Sequence, residues 1–430
     1  MIENKPTRVV VTGLGVVAPN AVGVAAFENA LREGVSGIRF IEQMAELKFA
    51  CQVGGAPQGI EALQNDYLTA EDLMAMNQSM VFTAIAGIDC WRDAGLAEVS
   101  PDTPTDFDTG AIVGTGIGGM DTIVEKLVPK VTVGKVRRLG STLVEQIMSS
   151  SVSAKLGGLL ALGGQVTTNS SACTTGTEAI VDAFIQLRSG RGKRMLAGGA
   201  EAASVYIWSG FDAMRVLNRK HNDAPQSASR PMSATAAGFV PGSGCGLLML
   251  ETLESARERG ARIYAEIIGG HVNSGGHRNG GSMTAPNPEG VVRCVRAAMA
   301  QADLQARDID AINGHLTATF ADPHEIANWQ RALDVPVDEF PAINATKSMV
   351  GHALGAAGGI ECVASVLQLH NGFLHGSLNC EDLHDDIAPF AHSVVRETRE
   401  FDGKIIAKSS FGFGDVNGCV LFKKWQDGGA

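Results

Sequence analysis

A chain of 430 residues with 45% hydrophobic content can bury a large core and is too long for one domain of the commonest size. Its formal net charge of -11 repels nucleic acid and anionic membranes, and 52 glycines against three tyrosines and four tryptophans leave few rings for stacking bases. The start MIENKPTRVVVTG carries no long apolar region, and no run of about 18 apolar residues follows, so a soluble, cytoplasmic protein is expected. The eight cysteines (51, 90, 173, 245, 294, 362, 380, 419) lack paired CxxC spacing, which argues against a zinc site or a disulfide framework. The ordinary reading of each is a small buried hydrophobe.

In chain order, short β-rich runs alternate with amphipathic or Ala-rich helical runs, the pattern of an α/β protein. RVVVTG (8–13) predicts a strand, followed by a helix near 24–32. A helix is expected over 79–94, strands over 110–114 and 165–169, a helix over 175–189 and a strand over 195–198. The second half echoes the first: strands at 263–269 and 309–313, then 345–347 leading through SMVGH to a helix after His352, and final strands at 405–407 and 419–423. An internal duplication is expected, its boundary near the helix 255–260, which divides the chain into 1–256 and 257–430. TGLGVVAPN imitates a dinucleotide-binding GxGxxA pattern, but Pro19 and Asn20 interrupt the helix that should follow, so a plain strand-end turn is the better reading.

The stretch VTTNSSACTTGTEAIVDAF places Cys173 where a strand gives way to a helix. Unsatisfied N–H groups and the positive dipole end at a helix start favour a thiolate, so Cys173 is expected to ionise readily and act as a nucleophile. Its small neighbours leave room for a substrate carbonyl, and its own N–H could join an oxyanion site. His315 lies at a strand end in NGHLTAT, and His352 lies in TKSMVGHALGAAGG, where glycines and alanines permit close packing at a helix start. A single histidine is more often structural, but two at such positions opposite one elbow cysteine point to a Cys/His/His site.

The strings SACTTG, GHLTAT, TKSMVGHALGAAG and SFGFGDVNG, in this order and spacing, resemble the β-ketoacyl-acyl-carrier-protein synthases, elongating type, of the thiolase-like superfamily. The resemblance runs from VVVTGLGVVAPN to GCVLFKK, and takes in GTGIGG, LAGGAEAA, SASRP, GFVPGSGCG and IYAEIIG. It implies a duplicated αβαβα five-layer fold, usually a homodimer. The implied activity is decarboxylative condensation of an acyl-enzyme with malonyl-acyl-carrier protein, with no metal or organic cofactor beyond the carrier's phosphopantetheine. By the same resemblance, Cys173 is the acylated nucleophile, and His315 and His352 promote decarboxylation. Lys347 and Glu361 support them, either catalytically or as a structural ion pair. Phe413 matches the gate over the cysteine, Ile117 an acyl-pocket position, and Thr317 and Thr319 substrate-binding positions. A chain-length-determining partner subunit is the competing reading, disfavoured because such subunits generally lack the nucleophile. A degradative thiolase would need a second catalytic cysteine, and Cys419 reads as a strand residue.

The chain also departs from the family pattern. Leu316 stands where glycine is usual and is expected to narrow the malonyl site or move His315. Asp415 replaces a glycine of the gate motif, Ser243 a glutamate, and 233–237 the usual charges after SRP. The basic cluster expected before the helix at 79 is AEDLMAMNQ, which leaves Lys126, Lys130, Lys135, Arg137 and Arg138 as the better carrier-docking stretch. Arg188, Arg191, Lys193 and Arg194 read as solvated surface. Together these changes suggest a specialised acyl or polyene pathway.

Overall fold

The computed structural model describes residues 7–426; the charged start at 1–6 lies outside them. Ten strands make the frame. The first five are β1 (Val9–Ala18), β2 (Thr109–Gly114), β3 (Val166–Thr167), β4 (Arg194–Glu201) and β5 (Gly244–Thr252). The second five are β6 (Ala265–Ser274), β7 (Ala311–Asn313), β8 (Ala342–Asn344), β9 (Ile405–Gly412) and β10 (Val416–Lys424). They run in the order β8-β7-β9-β10-β6-β1-β5-β4-β2-β3, and Ala21–Val22 pairs beside the end of β1.

The centre is the antiparallel pair β1/β6, in register from Val9↔Ile267 to Val11↔Ala265. Outward from β1, β5 and β4 are antiparallel and β2 and β3 parallel. Outward from β6, β10 and β9 are antiparallel and β7 and β8 parallel. The same sequence of strand directions thus occurs twice.

Helices fall into the same repeat. α1 (Gln78–Asp93) and α2 (Ser151–Leu159) cover the outer face of β1–β5, and α4 (Pro288–Gln301) with α5 (Asp322–Leu333) covers that of β6–β10. Between the two sets of strands lie α3 (Thr175–Arg188) and α6 (Ala357–Asn371), each touching both. The result is five layers, αβαβα. A helix with apolar matter on every side should be apolar all round, and α6 is buried continuously from Ala357 to Leu369. β1 and β5 are likewise buried at every position, because helices cover both faces.

Two expectations about strand ends are corrected. β1 does not stop at Gly13 but runs on to Ala18, so the GxGxxA pattern is neither a turn nor a phosphate loop. Its glycines bring α1 onto the strand: a Cβ at Gly15 would lie 1.8 Å from the Ala86 carbonyl oxygen. By contrast, pairing before Cys173 covers only Val166 and Thr167. There Thr168 turns its hydroxyl to Ser153, and Asn169 bonds Glu178 and the Thr175 carbonyl, which takes the chain off the sheet.

Candidate active site

The site is assembled where the inner helices begin. A 3-10 turn, Ala172–Thr174, runs into α3, and another, Leu354–Ala356, runs into α6. Ala172 and Leu354 have φ of 50° and 51°, the left-handed conformation that a sharp elbow imposes on a non-glycine residue. The two starts pack backbone to backbone, since a Cβ at Gly176 would lie 2.5 Å from the Gly359 nitrogen. This contact brings the loop with Cys173 and the loop with His352 together from opposite halves of the chain. His315 arrives from the end of β7. One nitrogen of each imidazole and Cys173 Sγ all lie within 4.8 Å of one another.

Cys173 is buried, and its thiol differs from the expected acidified one. Burial pushes it up to about 11, while the Lys347 ammonium and a hydrogen bond from the Phe413 N–H pull the other way. Loss of solvation outweighs the helix start, so the resting sulfur carries its proton at neutral pH.

The imidazoles are neutral for related reasons. Burial lowers both well below the ordinary histidine value, and Lys347 and Lys408 lower them further; His352 also lowers His315. His352 Nδ1 accepts the Leu354 N–H at 3.3 Å, and His315 Nδ1 lies 3.3 Å from the Lys347 ammonium. With Nδ1 an acceptor in each ring, the proton sits on Nε2. The rings are edge to face, their centroids 5.3 Å apart.

Behind them sits a cluster only partly foreseen. Lys347 pairs with Glu361 as the resemblance implies, and both are buried. Lys408, from the middle of β9, places its ammonium 2.8 Å from the other Glu361 oxygen. Two further carboxyls brace the loops and were also missed. Glu325 accepts the His315 and Leu316 N–H groups at 2.6 and 2.7 Å. Glu201 accepts those of Gly116 and Gly355 at 2.9 and 3.1 Å. Burial raises each to about 7. The available signal was a lone charge in an apolar run, as in IIAKSSFG and LAGGAE, because such a charge requires a buried partner.

A mostly apolar cavity of about 460 Å³ opens over this centre. Cys173, His315, His352, Phe413, Thr317 and Thr319 line it, with Phe211, Met214 and Phe239. The two threonine hydroxyls are 3.0 Å apart. Ile117 does not line this cavity and is 37% exposed. Lys347 and Glu361 stand behind the lining rather than in it.

The departures from pattern are accommodated locally. Leu316 does not narrow the cavity: it is fully buried with Ile312, Ile326 and Trp329 in the core of the second half. Asp415, at φ 60°, ties the Phe413 loop to the cavity mouth, its carboxylate accepting the His277 and Asn287 N–H groups at 2.9 and 2.7 Å. Ser243 is buried and donates to the Gly55 carbonyl at 3.1 Å. Cys419 lies buried in β10, outside the cavity lining. Of the two basic stretches, Lys126, Lys135, Arg137 and Arg138 are exposed, whereas Arg194 is tied to Asp106.

A duplicated five-layer fold with a cysteine and a histidine at the paired helix starts and a second histidine beside them at a strand end defines a condensing enzyme of the thiolase-like class. The chain belongs to the β-ketoacyl synthase family: the model of that family's N-terminal domain matches residues 6–256 and that of its C-terminal domain residues 264–381. It is 34% identical to 3-oxoacyl-acyl-carrier-protein synthase 1 of Escherichia coli K12 over 422 residues, 98% of this chain and 100% of that one. The chloroplastic synthase I of Arabidopsis thaliana is 33% identical, with 97% of this chain and 87% of that protein covered. Among solved structures, a β-ketoacyl synthase from Burkholderia phymatum STM815 superposes with a TM-score of 0.89 at 27% identity. The ishigamide ketosynthase/chain length factor gives 0.87, also at 27% identity; each match covers 98% of this chain and all of the other. Among the described residues no helix is long and apolar enough to cross a membrane.

Proposed function

We propose that the protein is a 3-oxoacyl-acyl-carrier-protein synthase whose reaction is carried by the cluster of Cys173, His315 and His352. The single supporting observation is that a thiol and two neutral, Nε2-protonated imidazoles converge in an apolar cavity. In the first step the Cys173 sulfur attacks the acyl thioester of a carrier protein. Its proton leaves with the carrier thiol, so the exchange is balanced as acyl-S-carrier plus Cys-SH to acyl-S-Cys plus HS-carrier. The Phe413 N–H, with that of Cys173, receives the transient oxyanion. Malonyl-carrier protein then loses carbon dioxide, and the electron pair of the broken C–C bond passes to the thioester oxygen as an enolate. The two imidazole N–H groups hold that oxygen without giving up their protons, the role for which neutral rings are suited. The enolate carbon attacks the acyl-cysteine carbonyl, the C–S bond breaks, and the thiolate takes up one proton. The product is a 3-oxoacyl thioester two carbons longer.

In this reading 1–256 contributes the nucleophile and 257–430 the histidines, and Thr317 and Thr319 meet the arm of the incoming thioester. The partner is an acyl carrier protein, and its phosphopantetheine arm is the only further group the chemistry requires. A chain-length-determining subunit would have no use for a buried cysteine within reach of two imidazoles. Intact-mass analysis after incubation with acyl-carrier protein tests the reading. The native protein is expected to gain one acyl mass and Cys173→Ala none; an adduct that survives the substitution, or no adduct on the native protein, overturns it.

A further inference from the structure

Among the described residues two buried cations, Lys347 and Lys408, stand behind the site, and Lys408 is the one that no sequence motif pointed to. It lies on β9, opposite Asn313 of β7 and Val420 of β10, and is 0% exposed. Its ammonium bonds the Ser409 carbonyl, donates to Ser410 Oγ at 3.0 Å and stands 2.8 Å from Glu361 Oε2. Ser410 in turn shares a hydrogen bond of 2.8 Å with Thr177 on α3, one turn beyond the cysteine. Glu361 holds Lys347 on its other oxygen, and Lys347 reaches His315 Nδ1. One carboxylate therefore serves two ammonium groups, although Lys347 alone would neutralise it.

We propose that Lys408 is a positioning residue for the condensation: it leaves the buried Lys347–Glu361–Lys408 cluster with one positive charge in excess, and that excess adds to burial in keeping both imidazoles neutral and donating. The inference rests on the condensing role argued above. A cation costs most to add where another is already buried, so an unbalanced ammonium behind the rings opposes their protonation. The same charge favours the negative oxygen that forms on decarboxylation.

Among the other titratable groups around the rings, Glu325 acts on Lys347 against the excess, and no carboxyl acts on either imidazole. Glu325 and Asp322 on α5 face the backbone N–H groups of the loop 315–318, and Glu201 at the end of β4 faces those of Gly116 and Gly355. Burial raises all three carboxyls, and the Cys173 thiol is protonated. Burial does most to depress each histidine and Lys347, and the Lys408 charge adds to it at all three.

Lys408→Met removes the charge, keeps the length and leaves Glu361 paired with Lys347. Histidine ring resonances followed by NMR from about pH 8 to about pH 5 are expected to show both site imidazoles neutral throughout in the native protein. In Lys408→Met, at least one is expected to take up a proton within that range, at about pH 5 or above, and the acid limb of malonyl decarboxylation to move to higher pH. A purely structural lysine would lower thermal stability and leave both readouts in place. A folded Lys408→Met with unchanged titration and acid limb overturns the proposal. If that variant does not fold, a site imidazolium in the native protein at about pH 6.5 overturns it equally. Neither result depends on the acylation of Cys173, which tests the condensing role separately.

Discussion

His352 and His315 reach the same tautomer by different means: an amide N–H fills Nδ1 in one, and the Lys347 ammonium faces it in the other. Neither nitrogen is then free to accept a proton in acyl transfer, so both rings should matter to decarboxylation and little to acylation. His352→Ala and His315→Ala are each expected to keep acyl transfer onto Cys173 and to slow release of carbon dioxide from malonyl-carrier protein by about 10²–10³-fold. Mass analysis of the acyl-enzyme beside a single-turnover carbon dioxide assay separates the two steps, and undiminished release would remove the rings from this role. The three clustered residues, Cys173, His315 and His352, were legible because each lies in a string rich in small residues, as close approach of the chain requires. Glu201 and Lys408 were not, since a lone charge in an apolar strand announces a buried partner without saying which residue it is, and Glu325, among the other polar residues of DPHEIANWQRAL, carried no signal at all. The state of Cys173 was also misread: a helix start is visible in the sequence, but the burial that outweighs it depends on what the other half of the chain lays over the sulfur.

At the scale of elements, the site depends on two helices that meet at their first turns. Gly176 and Gly359 leave no space between backbones, and Gly246 and Gly199 continue the seam on the strands beneath. Gly176→Ala would place its methyl carbon 2.5 Å from one backbone nitrogen and 3.2 Å from the Gly355 oxygen, neither of which a rotamer change can move. The helices must separate, and overpacking of this kind costs about 1–3 kcal/mol. A lower thermal midpoint is expected together with loss of decarboxylation, while Cys173 remains open to alkylation; full condensation at native stability would show that the seam is slack. The same crowding explains a misjudged boundary. Glycine in Gly13 and Gly15 has the look of a turn, yet here it thins a strand so that α1 can lie on it.

For the whole molecule, the duplication was readable from order alone, because each half repeats strand, helix and elbow in turn. Its depth was not: Leu354 and Ala172 share one conformation although their sequences share nothing that requires it. The fold that makes this layered interior also buries all eight cysteines. Burial raises every thiol: Cys173 and Cys380 to about 11, Cys51, Cys362 and Cys419 to about 12, and Cys90, Cys245 and Cys294 in the same direction. A folded thiol that keeps its proton while the unfolded one loses it means that the unfolded state binds fewer protons, so stability falls as pH rises past about 9. Each such group costs up to about 1.4 kcal/mol per pH unit until its folded value is reached. Tyr67, held up to about 12, and Tyr264 add in the same sense at higher pH, while Lys347, whose value is lowered, opposes. On the acid side the signs conflict. Below about 6.5 the depressed His315, His352 and His375 favour the unfolded chain. The raised Glu201 and Glu325 favour the folded one as pH falls through about 7. The expected profile is therefore asymmetric, shallow in mild acid and steep in alkali. Urea midpoints measured across about pH 5 to about pH 11, with thiolate absorbance recorded alongside, should show unfolding and thiol ionisation arriving together. A flat alkaline limb, or thiols that ionise while the protein stays folded, would show that the cysteines are not held in the dry interior described here.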